Sequence, residues 1–386
     1  MPADPSDPRH DVLPPLEVAE RATRVRAAMA DAGLDALVVS DLVNLRWLTG
    51  FAGTAGTAVV RADELVVVVD GRYAEQAAQQ LGDHCVAARV AEGRTRVRLR
   101  ELTLEALRGA ARVGLEADAL TWAEGRAWCD DLAGSGAGVE PVPVSGLVGG
   151  LRAVKDGGEI ARVAEACRLA GAALESVVPR LGEAVTEAEF AAELEYEMRR
   201  RGSQGPSFDT IVASGPNAAL PHHRPGDRRI VEGDLVIVDF GATVDGYRSD
   251  MTRTIVVGEP TAEQRDWLDL VEAANAAGVA AVRPGVRGAD VDAAARAVID
   301  GAGLGALFVH GTGHGVGLRI HEAPWALSTS VDVLVAGNLI TVEPGVYRFP
   351  FGGVRVEDLL LVCDDGCRPL TTTPKDLPCP PSPRTT

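Results

Sequence analysis

A chain of 386 residues is long enough for two domains or one large one, and its formal net charge of −17 makes partners with phosphate backbones or anionic surfaces unfavourable. Hydrophobic residues at 46% and charged residues at 24% give an ordinary globular composition, and aromatics at only 4% predict an interior filled by Val, Leu and Ala. No apolar run reaches membrane-spanning length, and the polar, proline-rich start MPADPSDPRHDVLPP lacks the apolar core of a secretory signal. A cytoplasmic protein that binds neither nucleic acid nor membrane is expected. The six cysteines (Cys85, Cys129, Cys167, Cys363, Cys367, Cys379) form no tight pair and are expected to be free thiols.

Residues 1–14 and 373–386 are rich in proline and poor in apolar side chains, and both ends are expected to be disordered. A first domain is expected over 15–150. Helical periodicity covers 16–32, 72–81, 99–109 and 121–132, and strands are expected at ALVVS (36–40), TAVV (57–60) and ELVVVVD (64–70). That alternation predicts a small mixed α/β sheet. The glycines of GFAGTAG (50–56) precede a strand rather than a helix, which favours a close-packed turn over a phosphate cradle. The glycine-rich segment VSGLVGGLRAVKDGGE (144–159) marks the boundary. A second domain is expected over 151–372, with helices at 159–177, 187–201, 261–282 and 288–302. Its strands fall at 209–213, 235–243, 247–257, 339–343 and 354–363. The order helix, helix, strands occurs twice, which hints at an internal duplication. The fold class is α/β (α+β).

The second domain carries the chemistry. In LVIVDFGATVDGYRSDMTRTIVV (235–257), Asp245–Gly246 is a type I′ hairpin signal. A two-residue turn there sets Asp239 opposite Thr252 and Asp250 opposite Gly241, so both aspartates lie on one face. Burying an unpaired carboxylate costs several kcal/mol, so two together call for a cation. The bland alternative is that they cap turns or pair with Arg248 or Arg253. Glu343 ends the apolar strand of LITVEPGVY (339–347). Arg355 and Glu357 share a face in GGVRVEDLLLVC (352–363), where Arg355 neutralising Glu357 is the bland reading.

Five of the seven histidines fall in two short stretches. FVHGTGHGVGLRIHE (308–322) holds His310, His314 and His321, and ALPHHRPGD holds His222 and His223. Four acids on strands with at least one imidazole make a mostly hard-oxygen donor set. It suits two divalent cations such as Mn2+ or Co2+ better than a structural zinc. Shared carboxylates would bridge ions about 3.5 Å apart.

On these residues the chain resembles the proline-peptidase branch of the pita-bread metallopeptidases, Xaa-Pro dipeptidase (prolidase) and aminopeptidase P, over about 15–370. HGTGHGVGLRIHE matches the family's His-x3-His-x6-His signature, and VDFG, GYRSDMTRT, VEPG and GVRVED follow the family's motifs. ASGPNAALPHH and WLTGFAGTAG are similar to further family segments. The resemblance implies a pita-bread catalytic domain and a role at each position. Asp239 chelates one metal, Asp250 and Glu357 bridge, and His314 and Glu343 hold the second. A hydroxide between the metals is the implied nucleophile, with Glu343 shuttling its proton toward the leaving proline nitrogen. His321 steadies the substrate carbonyl and its oxyanion. His222 and His310 line the pocket, His310 assisting proton transfer, and Arg355 orients Glu357. The implied cofactor is a pair of divalent ions, Mn2+ first, with Co2+ or Zn2+ as alternatives. The implied partners are proline-containing dipeptides or oligopeptides and a second copy in a homodimer.

In one place the chain departs from the pattern. Some prolidases carry an arginine four residues beyond the place of His321, where it takes the dipeptide's carboxylate; here Trp325 stands there. Longer Xaa-Pro peptides therefore stay open as substrates, with RPGDRR (224–229) as an alternative anchor or a solvated loop. Trp325, Tyr347, Phe349 and Phe351 are candidates for a proline pocket or for ordinary core. Two other readings of the fold are a creatinase-like amidinohydrolase without metals and a catalytically inactive protein-binding module. The complete ligand set argues against both. Methionine aminopeptidase shares the ligands, but the first domain argues against it.

Overall fold

The computed structural model describes residues 13–134 and 138–379. Residues 1–12 and 380–386, the greater part of the ends expected to be disordered, lie outside that range. Two compact units divide the chain at Arg152/Ala153.

In the unit Pro15–Arg152, strands β1 (Ala36–Val39), β2 (Thr57–Arg61), β3 (Leu65–Asp70), β4 (Arg89–Gly93), β5 (Arg112–Glu116) and β6 (Glu140–Val144) form one sheet in the order β4-β3-β2-β1-β5-β6. The β1–β2 and β2–β3 pairs are antiparallel and the others parallel, a mixed sheet. The near-continuous valines of β1 to β3 are buried, as strands covered on both faces require. Helix α1 (Arg21–Asp31) precedes β1, helices α2 (Leu42–Thr49), α3 (Ala74–Asp83), α4 (Arg96–Ala106) and α5 (Trp122–Gly134) connect strands, and α6 (Leu147–Ala153) follows β6. Gly50 closes α2 with φ of 74°, so the first glycine of GFAGTAG serves a turn.

The unit from Ala153 onward repeats its element order. Its first half has α7 (Gly157–Val177) and α8 (Glu187–Arg200), then β7 (Ile211–Ser214), β8 (Leu235–Phe240), the short β9 (Thr243–Val244) and β10 (Tyr247–Arg248), and β11 (Met251–Val256). Its second half has α9 (Ala262–Ala281) and α10 (Gly288–Gly301), then β12 (Gly313–Gly315), β13 (Glu322–Ala326), β14 (Leu339–Val342), β15 (Gly345–Arg348), β16 (Gly352–Arg355), β17 (Asp358–Cys363) and β18 (Gly366–Pro369). The main sheets run β11-β8-β7 and β13-β12-β14-β17-β18. Capping boxes start α7 (Asp156/Glu159), α8 (Thr186/Glu189) and α9 (Thr261/Gln264). Leu169, Leu174, Phe190 and Leu194 of the first helix pair pack on Val236, Val238, Met251 and Ile255 of the first sheet. Val282, Val291, Ile340 and Leu360 do the same in the second half. All six cysteines are free.

The hairpin takes the register its turn dictates: Val244 faces Tyr247, and Asp239 faces Thr252. Asp245 and Gly246 have φ of 46° and 76°, as a type I′ turn requires. The ladder is interrupted at 241–242 and 249–250, where the strands close in. A Cβ on Gly241 would overlap the Ser249 carbonyl. Two expectations need correction. The strand expected over 354–363 is two strands, split at Val356–Glu357. There Glu357 N bonds Thr252 O and Val356 N bonds Pro344 O instead of continuing a ladder. Residues 373–379 are seated rather than disordered. Thr373 is buried, its carbonyl accepts from the buried Arg253, and Leu377 and Cys379 pack on the first-half core. A buried guanidinium needs carbonyl acceptors, and the tail supplies them.

Gly241→Ala should lower unfolding stability by about 1–3 kcal/mol, because the overlap forces the hairpin apart beside Asp250. Denaturant melts of both proteins check this, and coincident midpoints would contradict the close approach.

Candidate metal centre

Each acid of the site sits where a ladder ends or breaks. Asp239 is near the end of β8, and Asp250 lies in the interruption before β11. Glu343 follows β14, and Glu357 fills the gap between β16 and β17. His314 is the middle residue of β12, with a register shift after it. Its glycine neighbours are needed. A Cβ on Gly313 would overlap the Thr341 carbonyl, and one on Gly315 the Ala323 carbonyl, so β12 fits between its neighbours only without side chains there.

These residues line one cavity of about 370 Å³, together with His222, His310, His321 and Arg355. His314 Nε2 is 3.6 Å from Asp250 Oδ2 and 3.4 Å from Glu343 Oε1. Donor atoms of Asp250, His314 and Glu357 all lie within 4.8 Å of one another. His314 Nδ1 donates to Gly315 O at 3.1 Å, which leaves the Nε2 lone pair aimed at the carboxylates. Burial, and then the nearby His321, bring the His314 pKa down to about 4, so the ring is neutral.

The acids are out of balance with the cations facing them. Burial and then the neighbouring carboxyls push Asp250 and Glu357 well above the usual carboxylate range, and burial raises Glu343 to about 8. Asp239 Oδ1 and Glu357 Oε1 are buried without a hydrogen-bond partner among the described residues. A lone imidazole pair and two orphaned carboxylate oxygens on one cavity wall fit a divalent cation, and the mainly oxygen donor set suits a hard one.

Arg355 is the guanidinium of that wall, and its partner differs from the one expected. It donates from Nη2 to Asp239 Oδ2 at 2.7 Å and reaches Glu357 only through Thr252. Its Nε donates to Thr252 Oγ1 (3.1 Å), which donates to Glu357 Oε2 (2.8 Å). Neither Arg248 nor Arg253 faces the aspartates: Arg248 donates to Leu318 O, and Arg253 pairs with Asp358.

The histidines divide by environment. His222 and His321 are exposed in the cavity wall, and the His321 ring meets the His314 ring edge-on at 4.4 Å. His310 has both ring nitrogens engaged. Nδ1 donates to Gly311 O (2.7 Å), and Nε2 accepts from the Tyr347 hydroxyl (2.8 Å), which itself accepts from Arg355. Burial, reinforced by Arg355, brings the His310 pKa down to about 4. His223 turns away and pairs with the buried Glu187, which also binds Ser214 and Asn217 and so fixes the loop carrying His222. The signature's trailing Glu322 pairs with buried Lys155 at 2.9 Å.

Sequence reasoning missed Glu187, which reads as an ordinary first-turn acid, and Phe208, which no motif marks. Thr252 was detectable through its register opposite Asp239. The rest of the cavity lining is largely apolar: Phe208, Ile211, Pro221, Ile320, Trp325 and Leu327. Of the four aromatic candidates for a proline pocket, Trp325 alone lines the cavity among the described residues. Tyr347 belongs to the Arg355 network, Phe349 is exposed, and Phe351 packs on Trp267 at 4.6 Å. In RPGDRR, Arg228 is bound to Asp234 and Arg229 to Ala184 O.

Comparison with known proteins gives the same picture. The profile of metallopeptidase family M24 matches residues 161–364, and that of the creatinase/prolidase N-terminal domain matches residues 21–154. The uncharacterized peptidase YqhT of Bacillus subtilis is 36% identical over 354 residues, which are 92% of this chain and 98% of YqhT. A solved Xaa-Pro dipeptidase from Bacillus anthracis superposes with a TM-score of 0.87 at 37% identity, covering 94% of this chain and 99% of that one. An X-Pro aminopeptidase from Thermotoga maritima superposes with a TM-score of 0.82 at 30% identity, covering 92% and 98%. The chain belongs to metallopeptidase family M24, with a creatinase/prolidase N-terminal domain ahead of a pita-bread catalytic domain.

Proposed function

We propose that this protein is an exopeptidase that hydrolyses Xaa-Pro bonds with two divalent cations. One observation carries the reading: the orphaned oxygens of Asp239 and Glu357 and the free Nε2 of His314 open onto one buried wall. Asp239, Asp250, His314, Glu343 and Glu357 hold the ions, with Mn2+ first and Co2+ or Zn2+ as alternatives. When bound, the ions supply Lewis acidity and lower the pKa of the attacking water. Glu343, at the cavity end of β14, takes the proton from that water and passes it to the proline nitrogen. His321, exposed above His314, donates to the substrate carbonyl as charge develops on its oxygen. His222 borders the same space. His310 serves by holding Tyr347 and Arg355 in place, because its Nε2 accepts from the Tyr347 hydroxyl and carries no proton to give, while its Nδ1 proton is held by the Gly311 carbonyl. Arg355 holds Asp239 directly and Glu357 through Thr252.

Selection for proline rests on the apolar lining. A tertiary amide has no N–H to recognise, so the pyrrolidine ring must be chosen by packing against Phe208, Trp325 and Leu327. Trp325 stands where a carboxylate anchor would be, and Arg355 is already bound to Asp239. Peptides extended beyond the proline therefore fit this wall better than free dipeptides. The proposal includes a homodimer, on the family resemblance, and a cytoplasmic location, on the polar, proline-rich start of the sequence. No helix among the described residues is long and apolar enough to cross a membrane. A metal-free amidinohydrolase or a binding-only module would leave the buried acids uncompensated.

Mn2+-loaded protein should release glycine from Gly-Pro-Xaa tripeptides with kcat/KM about tenfold or more above Gly-Pro, a difference of about 1.4 kcal/mol in transition-state binding. Preference for Gly-Pro would instead require an anchor for its carboxylate, and no release from either would sink the peptidase reading. Asp250→Ala should lose bound metal and turnover together, read by elemental analysis and peptide assay. His321→Ala should keep its metal while kcat falls about 10²–10³-fold. Parental turnover by either variant would contradict the assignment.

A further inference from the structure

The seated tail residues 373–379 lie directly behind the candidate ligands. β17 opens with Asp358, the neighbour of Glu357. Its buried carboxylate accepts from Thr371 Oγ1 (2.9 Å) and Arg253 Nη2 (2.9 Å), and Lys375 Nζ stands 3.1 Å away. Arg253 adjoins Thr252, whose hydroxyl binds Glu357. It donates from Nη1 to the Glu357 carbonyl (2.6 Å) and the Thr252 carbonyl (2.9 Å), and from Nη2 to the Thr373 carbonyl (2.7 Å). Asn275, fully buried in α9, donates Nδ2 to Val342 O (2.7 Å) and Val356 O (3.4 Å). Those carbonyls immediately precede Glu343 and Glu357. An amide keeps its donor on that side when its oxygen is occupied on the other, and Lys375 Nζ occupies Asn275 Oδ1 at 2.6 Å. The tail lies close against α7, since a Cβ on Gly171 would overlap the Thr373 hydroxyl.

We propose that Lys375 is a positioning residue for the metal centre: by joining Asn275 to Asp358 it fixes the main chain that delivers Glu343 and Glu357. The inference rests on the metal reading above. Lys375 touches no candidate ligand oxygen, so it holds the carboxylates in place without occupying their free positions. Lys375→Met removes both the charge and the donor. Asn275 Oδ1 is then left unpaired, and its amide is free to swing off the two carbonyls.

The test strips full-length protein with a chelator and titrates Mn2+ or Co2+ into the parent, Lys375→Met and Lys375→Arg. It reads the metal dissociation constant, the Co2+ absorption spectrum, and kcat and KM for an Xaa-Pro tripeptide at saturating metal. It also reads the melting temperature of the metal-free protein. Lys375→Met should weaken metal binding about 10–100-fold, shift the Co2+ spectrum and lower kcat more than it raises KM, with Lys375→Arg recovering most of the loss. Should Lys375→Met not fold, Lys375→Ala, which likewise removes the contacts to both Asn275 and Asp358, is read in the same way. Parental metal affinity and spectrum in the neutral variant overturn the inference, even if its melting temperature falls, because the tail is then only a clamp on the fold. A parent that takes up no metal overturns the metal reading itself, and this inference with it.

Discussion

Four carboxyl groups and one guanidinium share a buried cavity wall. At an effective dielectric near 20, two like charges about 4 Å apart repel by roughly 4 kcal/mol, and desolvation adds to that cost. Arg355 offsets Asp239, while Asp250, Glu343 and Glu357 are pushed toward their neutral forms. A fold under selection only for stability would replace such a cluster with packed apolar side chains. Keeping it makes sense only if a cation belongs there, and the surrounding structure is arranged to tolerate the acids until it arrives.

The arrangement shows in where backbone regularity fails. A strand in an unbroken ladder sends side chains to alternate faces at fixed spacing, which cannot bring four acids and an imidazole to one point. The β8–β11 ladder is interrupted at Asp250, β16 and β17 are separated at Glu357, and β12 shifts register after His314. Each irregularity re-aims one donor, as bulges near functional sites commonly do. The glycines at 241, 313 and 315 let the chains approach closely enough for this, so their effect on the site is steric and indirect.

What could be read from the sequence depended on how far each determinant lies along the chain. The Asp245–Gly246 turn is local, and it correctly placed Asp239 opposite Thr252. The three-strand core of the N-terminal sheet was visible as runs of valine. Strands β4, β5 and β6 were not: β4 mixes charges with small residues, β5 has charged residues at both ends and Gly114 in its middle, and β6 carries two prolines that only an edge strand tolerates. The break at Glu357 depends on the Thr252 carbonyl, more than a hundred residues away, and the partner of Arg355 on Asp239 is equally remote. The tail looked disordered because its composition is poor in apolar groups, yet its anchor is a buried arginine on β11. The metal roles themselves came from the family's motifs. Charge patterning showed only that carboxylates were gathered.

The same logic extends to the cations outside the cavity. Arg253 binds the carbonyls of Thr252 and Glu357 and the carboxylate of Asp358. Lys155, almost wholly buried, pairs with Glu322 in the stretch that carries His321. In both cases the positive charge engages the chain next to a site residue and leaves the site residue's own donor atoms open. A cation on those atoms would stabilise the apoprotein more and would compete with the metal. Set one step back, it reduces the field of the acids through the low-dielectric interior and fixes their backbone, while the space between them stays available. Arg253 and Lys155 are thus buried positive charges set one step behind an acidic centre, within a protein whose net charge is strongly negative.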